Sequence, residues 1–397
     1  MFSKLLWRHQ DKMLFNILKN LKFGTVFLTM PDGSQHQFSG ALAGPNADLQ
    51  IHTKEAVRRI LSDGKIGFCE AFMDGHVSSD NLPELIELAA RHDEYFDEKL
   101  KTGLLRKWGL QLFHQLRRNN RGGSAKNIAH HYDLGNSFYE AWLDPTMTYS
   151  SAVFDSDDDD LTTAQLNKYQ RLAELADIKP GDRVLEIGCG WGGFAVYAAQ
   201  NRGLRVTGLT ISKEQLAYAE DRVQRLNLGH LVNLKLQDYR DEQGVYDGVA
   251  SIEMFEAVGE KYWPQYFEIV RGALKPGARA TLQIIVVQDK RFDVYRKSVD
   301  FIQKYIFPGG MLPSPSVSQS QITKAGLTKT ASVEFGWSYS QTLRQWHDRF
   351  NARWDEVAQL GFDDRFRRMW NMYLTSCASA FESGYCDVTQ ITMKKTH

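Results

Sequence analysis

The run Val184-Leu185-Glu186-Ile187-Gly188-Cys189-Gly190-Trp191-Gly192-Gly193 decides the fold. An aliphatic stretch leads into an acidic residue and a glycine-rich turn, and Phe194 to Ala199 open a helix behind it. Gly188 and Gly190 carry no Cβ, so the backbone bends sharply and a ligand can approach it closely. The first N–H groups of the following helix lack intrahelical partners and point at whatever occupies the turn. No Gly-Lys-Ser/Thr follows, which excludes the phosphate loop of nucleotide hydrolases. A dinucleotide fingerprint fits poorly, because no acidic residue ends the next strand. A tight turn without any ligand is the plain alternative.

Outward from this run, strands and helices alternate. Strands over 183–187, 205–209, 232–237, 246–252 and 279–287 are interleaved with helical patterns over 192–201, 213–226 and 262–273. Such alternation predicts a doubly wound, mostly parallel α/β sheet covered by helices on both faces. A helix over 161–176 precedes it, with Leu166, Tyr169, Leu172 and Leu175 as its apolar stripe. An insertion carrying Phe307-Pro308-Gly309-Gly310 and Leu312-Pro313-Ser314-Pro315 follows, then a strand over 329–336. Helices over 339–360 and 363–381 and a last strand over 387–394 close the chain. In open sheets of this kind ligands sit at the carboxyl ends of the strands. That gathers Glu186, Thr210, Asp238 and Glu253 to Glu256 around one crevice.

The upstream part reads as a small α+β unit. A helix over 1–20 leads to a hairpin around Pro31-Asp32-Gly33, a strand over 48–52, and helices over 54–62 and 82–91. Residues 99–126 hold eight basic residues and no acidic one, with Leu105, Trp108, Leu112 and Leu116 at helical spacing. This stretch suits an anionic lipid interface, and equally a linker helix that buries its stripe. Gly122-Gly123-Ser124 signals a linker, so the domains are set at 1–123 and 124–397. Lys plus Arg and Asp plus Glu both number 48, so no net field recruits nucleic acid. Cys69, Cys189, Cys377 and Cys386 form neither a C-x-x-C pair nor a metal-ligand spacing, which fits a reducing compartment and no metal. Without a long apolar run or a signal peptide, a soluble or peripheral protein is expected.

The E-I-G-C-G-W-G core of the opening run resembles motif I of the class I S-adenosylmethionine (SAM) methyltransferases. Further blocks make the resemblance specific. They are H-Y-D-L-G-N from His131, D-P-T-M-T-Y-S-S-A from Asp144, G-L-T-I-S-K-E-Q from Gly208 and L-Q-D-Y-R-D from Leu236. M-F-E-A-V-G from Met254, K-Y-I-F-P-G-G-M-L-P-S from Lys304 and W-H-D-R-F from Trp346 complete the set. Their order resembles that of cyclopropane-fatty-acid synthases, and mycolic acid methyltransferases share part of it. The resemblance implies methyl transfer from SAM to a double bond of an unsaturated phospholipid-bound acyl chain, giving a methyl-branched or methylated unsaturated chain or a cyclopropane. It also implies a homodimer, cytoplasmic and peripheral on the inner membrane face, with unsaturated phospholipid as partner. By the same resemblance Tyr149, Ser150, Glu186, Gly188, Gly190, Thr210, Gln215, Asp238, Tyr239 and Ile252 bind SAM. The residues agree in part: the glycines admit the methionine moiety, and Asp238 can accept from the adenine amine.

The chain departs from the family where the proton is removed. Family members usually hold a bicarbonate ion as base with a Cys, a Glu, a His and a Tyr. Here the Cys position is Ser151, the His after Glu256 is Ala257, the His of the fifth strand is Gln283, and the Tyr is His347. Ser and Gln hydrogen-bond an anion without serving as a base, whereas an imidazole accepts a proton near neutral pH. Glu253 adds a second carboxylate that raises the affinity of Glu256 for a proton. Bicarbonate is thereby put in doubt, and a protein group is expected to take the proton, Glu256 first and His347 second. The expected catalytic set is Glu256, His347, Ser151, Gln283 and Tyr132. Two other readings compete: methyl transfer to another hydrophobic small molecule, and a lipid-binding homologue without catalysis.

Overall fold

The computed structural model describes residues 2–100 and 134–396, which form two compact units. The smaller contains a four-stranded sheet of order β2-β1-β3-β4. In it β1 (Phe23–Thr29) runs antiparallel to β2 (Gln35–Ser39) across the expected turn and parallel to β3 (Leu42–Ile51), while β4 (Val77–Ser78) closes the edge. The helix starting at Lys54 continues to Met73, past the end expected at 62. Thr53 caps it, and Gly64 absorbs a kink at φ 59°, a conformation open to glycine, so the helix bends instead of ending. Segments 298–306 and 354–383 belong to this unit. The helix Asp364–Glu382 lies on helices Lys54–Met73 and Leu82–Arg91, and Asp74 accepts from Arg59 at 2.6 Å and Arg365 at 2.9 Å. The packing units therefore cut across the sequence boundary at 123: Tyr305 donates to Glu70 at 2.9 Å, and helix Asp364–Glu382 packs on two helices of the N-terminal module.

The larger unit holds a seven-stranded sheet of order β10-β11-β9-β8-β5-β6-β7. Strands β5 (Arg183–Ile187), β6 (Arg205–Thr210), β7 (Val232–Leu236), β8 (Tyr246–Ile252) and β9 (Leu274–Val287) are mutually parallel. The last strand, β11 (Cys386–Lys395), inserts antiparallel between β9 and β10 (Leu327–Glu334). Val184, Leu185 and Ile187 are fully buried, as a central strand covered on both faces requires. Helix Gly193–Arg202 follows β5 directly, and Ser212 caps helix Lys213–Arg225 after β6 by accepting from the Gln215 N–H. Asp160 caps helix Leu161–Leu175 in the same way. That helix is rotated relative to the expected stripe: Leu166 faces solvent, while Gln165 and Lys168 are fully buried. The chain reverses its winding at β5, so the ends of β5, β6 and β8 open on one crevice. Among the described residues no helix is long and apolar enough to cross a membrane.

Candidate active site

The turn after β5 divides its labour among its glycines. Gly190 lies at φ 52°, and a Cβ built there meets nothing within 4 Å. A Cβ on Gly188 would strike Met254 Cγ at 2.7 Å, and one on Gly193 would overlap the Tyr169 hydroxyl. Gly188 and Gly193 thus permit close packing, and Gly190 leaves open space beside the backbone. Glu186, at the end of β5, accepts from the Ala195 N–H and keeps its buried Oε2 without a partner. Burial pushes its carboxyl up to about 8, with Lys168 pulling the other way. Open space at Gly190 and an unused buried acceptor are what a polar cofactor with an amino-acid end requires.

The other expected cofactor residues lie on or next to β6 and β8, after β7, and before helix Leu161–Leu175. Thr210, at the end of β6, donates to Gln215 Oε1 at 3.0 Å, and both are buried. Asp238 follows β7 and is held by Arg240 through bonds of 2.8 and 2.5 Å. Tyr239 packs edge-on against Tyr266, and Ile252 ends β8. Tyr149 lies in an aromatic wall, 5.2 Å from Trp346, 5.4 Å from Tyr139 and 5.6 Å from Trp142 between ring centres. The Ser150 hydroxyl accepts from Lys168 Nζ at 2.7 Å.

Beside this wall lies a part-buried carboxylate pocket centred on Glu253. Its Oε1 accepts from the Ser151 N–H at 2.8 Å and from Gln283 Nε2 at 2.8 Å, and its Oε2 accepts from the Tyr339 hydroxyl at 2.7 Å. The residue adopts φ 48°, an uncommon conformation for a side chain of this size. Glu256 is one turn further on. Its Oε1 accepts from the Ile285 N–H at 2.6 Å, and its buried Oε2 has no partner. Burial, and then the neighbouring Glu253, push the Glu256 carboxyl up to about 8. Burial also raises the Glu253 carboxyl, against the Gln283 bond and the Lys168 charge. Lys168 itself is pushed down to about 7 by burial, while Glu253, Asp144 and Glu186 oppose that fall.

Ser151 and Gln283 both reach Glu253 and Glu256 lies on the adjoining turn, though Ser151 contributes its backbone N–H while its hydroxyl donates to the Ala152 carbonyl. His347 makes its contacts locally, with Asp348 at 3.3 Å and Asn351 at 3.4 Å. The hydroxyl that reaches the pocket from helix Gly336–Ala352 belongs to Tyr339. Tyr339 and Trp346 are seven residues apart and share a helix face, whereas one further residue turns His347 by about 100°. Tyr132 and most of the basic stretch 99–126 lie outside the described residues. Lys168 gave one sequence signal, its place at i+4 from Ala164 and i−4 from Leu172 on the buried face.

A doubly wound sheet with a glycine cradle at the end of its first central strand defines a class I SAM-dependent methyltransferase. A family model described as mycolic acid cyclopropane synthetase matches residues 119–391, and the chain belongs to that family. It is 40% identical over 366 residues to the tuberculostearic acid methyltransferase UfaA1 of Mycobacterium tuberculosis, spanning 88% of this chain and 84% of that protein. It is 37% identical over 362 residues to the cyclopropane-fatty-acyl-phospholipid synthase of Escherichia coli K12, with 88% of each covered. Among solved structures it resembles the mycolic acid cyclopropane synthase CmaA1 complexed with SAH and CTAB. The identity is 30% and the TM-score 0.64, covering 68% of this chain and 98% of that one. The cofactor is SAM, and the cradle at Gly190 with Glu186 fits it.

Proposed function

We propose that this protein methylates a double bond of an unsaturated, phospholipid-bound fatty acyl chain, and that its own Glu253 takes the proton, leaving a methyl-branched or methylated unsaturated chain. The substrate class is supported by the relatives' names, a tuberculostearic acid methyltransferase and a cyclopropane-fatty-acyl-phospholipid synthase. The observation that carries the rest is the set of three donors converging on Glu253. SAM supplies an electrophilic methyl group. The chain's residues must hold the alkene in line, exclude water and remove a proton from the carbocation that methylation leaves on the acyl chain. Tyr149, backed by the fully buried Trp142 and Trp346, offers a ring face that stabilises positive charge. Burial raises both carboxyls, but three donors and the Lys168 charge pull Glu253 back toward its ionised form, whereas Glu256, with one donor and Glu253 beside it, is pushed up to about 8. The base is therefore Glu253, in place of the Glu256 expected from the sequence, and it occupies donors that would otherwise hold a small anion.

The membrane-facing part of the proposal rests on the basic, Trp-bearing stretch 99–126, which suits an anionic surface where such a substrate resides, with the protein peripheral on the cytoplasmic side and paired as a homodimer. The test uses methyl-labelled SAM and vesicles of unsaturated phospholipid. A labelled acyl product that takes up hydrogen on catalytic reduction retains its double bond and supports the reading. A product that resists reduction is a cyclopropane and overturns the product assignment. Label appearing in no lipid overturns the substrate class.

A further inference from the structure

Behind Glu253 three side chains stand in single file. Arg171 Nε donates to Gln390 Oε1 at 3.0 Å, Gln390 Nε2 donates to Gln283 Oε1 at 3.1 Å, and Gln283 Nε2 donates to Glu253 Oε1 at 2.8 Å. The two ends cannot be reversed, because a guanidinium only donates and an ionised carboxylate only accepts. Turning either amide round would set donor against donor or oxygen against oxygen. The ends therefore fix both amides, and no water competes, since Gln283 and Gln390 are fully buried on the paired strands β9 and β11. Arg171 is held in place over the Phe335 ring, 4.2 Å from its centre.

We propose that Arg171 and Gln390 are positioning residues for proton removal, acting through Gln283 to keep the Glu253 carboxylate ionised and fixed in direction. This rests on the reading of Glu253 as the base. A row of aligned dipoles ending in a cation strengthens each bond in the row. The other groups facing Glu253 are Tyr339 from helix Gly336–Ala352, Lys168 from helix Leu161–Leu175, and Glu256 from the adjoining turn. A change at position 390 removes one bond outside the file, from Gln390 Nε2 to the Lys168 carbonyl at 3.2 Å, and the effect of that loss is read separately in the Gln283→Met background.

The test is a substrate-free titration. Glutamate labelled with carbon-13 at Cδ is incorporated, and the Glu253 resonance is assigned by its loss in Glu253→Gln. Gln390→Met keeps the volume and removes both bonds of the file together with the bond to the Lys168 carbonyl, and its Glu253 midpoint is expected about one pH unit higher than wild type. Labelled methyl transfer to dioleoyl phosphatidylglycerol vesicles is expected to slow about tenfold, with SAM affinity by calorimetry within about twofold of wild type. In the Gln283→Met background, adding Gln390→Met is expected to change nothing further, because the file is already cut. If Gln390→Met fails to fold, Gln390→Glu retains the Arg171 bond but loses the donor to Gln283, and its midpoint is also expected to rise. An unmoved midpoint in the folded variants, or additive effects in the double variant, overturns the file while leaving Glu253 as base. Wild-type transfer by Glu253→Gln overturns the base and the file together.

Discussion

The Tyr339 hydroxyl donates to Glu253 Oε2 at 2.7 Å, while the Ser151 N–H and the Gln283 amide occupy Oε1. Three segments far apart in the chain thus converge on one carboxylate, and Tyr339 is the donor most cleanly removed by mutation. Tyr339→Phe keeps the ring against Trp346, at 6.2 Å, and removes one bond to a charged acceptor, a change of about 1.5–3 kcal/mol. Methyl transfer is expected to fall roughly 10–100-fold, with SAM affinity unchanged. Wild-type turnover in this variant removes Tyr339 from the site.

Glu253 sits at φ 48°, a conformation glycine adopts freely. Glu253→Gly therefore relieves backbone strain and vacates three donors at once. Activity is expected to be lost in plain buffer and partly restored by formate or bicarbonate, small anions that can reoccupy the donors. Wild-type enzyme is expected to ignore both. Activation of the wild type by bicarbonate, measured in degassed and supplemented buffer, would count against Glu253 as the resident base.

How much of this was legible beforehand depends on range. Strands β5 and β8 and the turn at Gly188 were readable because their signals are local: a doubly buried apolar run and a glycine-rich bend. Ser151, Gln283 and Glu256 were placed in one pocket through the family resemblance. Tyr339 was not, because its bond to Glu253 spans 86 positions and no local pattern encodes it. Lys168 was hidden by the assumption that a stripe containing Tyr169 and Leu172 must be apolar throughout, and the helix instead turns Leu166 outward. The helix ending expected at 62 failed because Gly64 bends a helix whose other side is held by tertiary packing.

Gly190 tests the cradle. At φ 52° and with nothing within 4 Å of its missing Cβ, a larger residue there meets strain and fills the open space without striking protein. Gly190→Val is expected to keep most of its fold and lose measurable SAM affinity by calorimetry. Unchanged affinity in a folded variant removes the cofactor assignment from this turn. Gly193→Val is the contrast, since its side chain would overlap Tyr169 and destabilise the protein itself.

The basic stretch carries the lipid-surface proposal. Arg117 and Arg118 stand among eight cations without one anion over 99–126. Arg117→Glu/Arg118→Glu is expected to weaken sedimentation with anionic vesicles, and the wild-type binding is expected to fall with added salt. Binding that ignores both the substitution and the salt leaves the stretch as a linker.

Glu256 offers a test in which the sign of the pH dependence decides. Its carboxyl is raised from 4.5 to about 8 by burial and by Glu253, so between those values the folded protein holds a proton that the unfolded chain has released. Stability from this group is complete below pH 4.5 and is lost as pH rises through 8, by at most ~5 kcal/mol. Glu186, also raised to about 8, contributes in the same direction. Lys168, lowered to about 7, works oppositely, adding stability as pH rises from 7 toward 10.5. The difference between wild type and Glu256→Gln isolates the one group, because the others are common to both. Urea unfolding at pH 5, 6, 7 and 8 is expected to show wild-type stability falling relative to the variant at each step. A constant difference across that range means Glu256 is ionised in the folded protein at pH 5, and the assignment of Glu253 as the only charged carboxylate of the pair is then wrong.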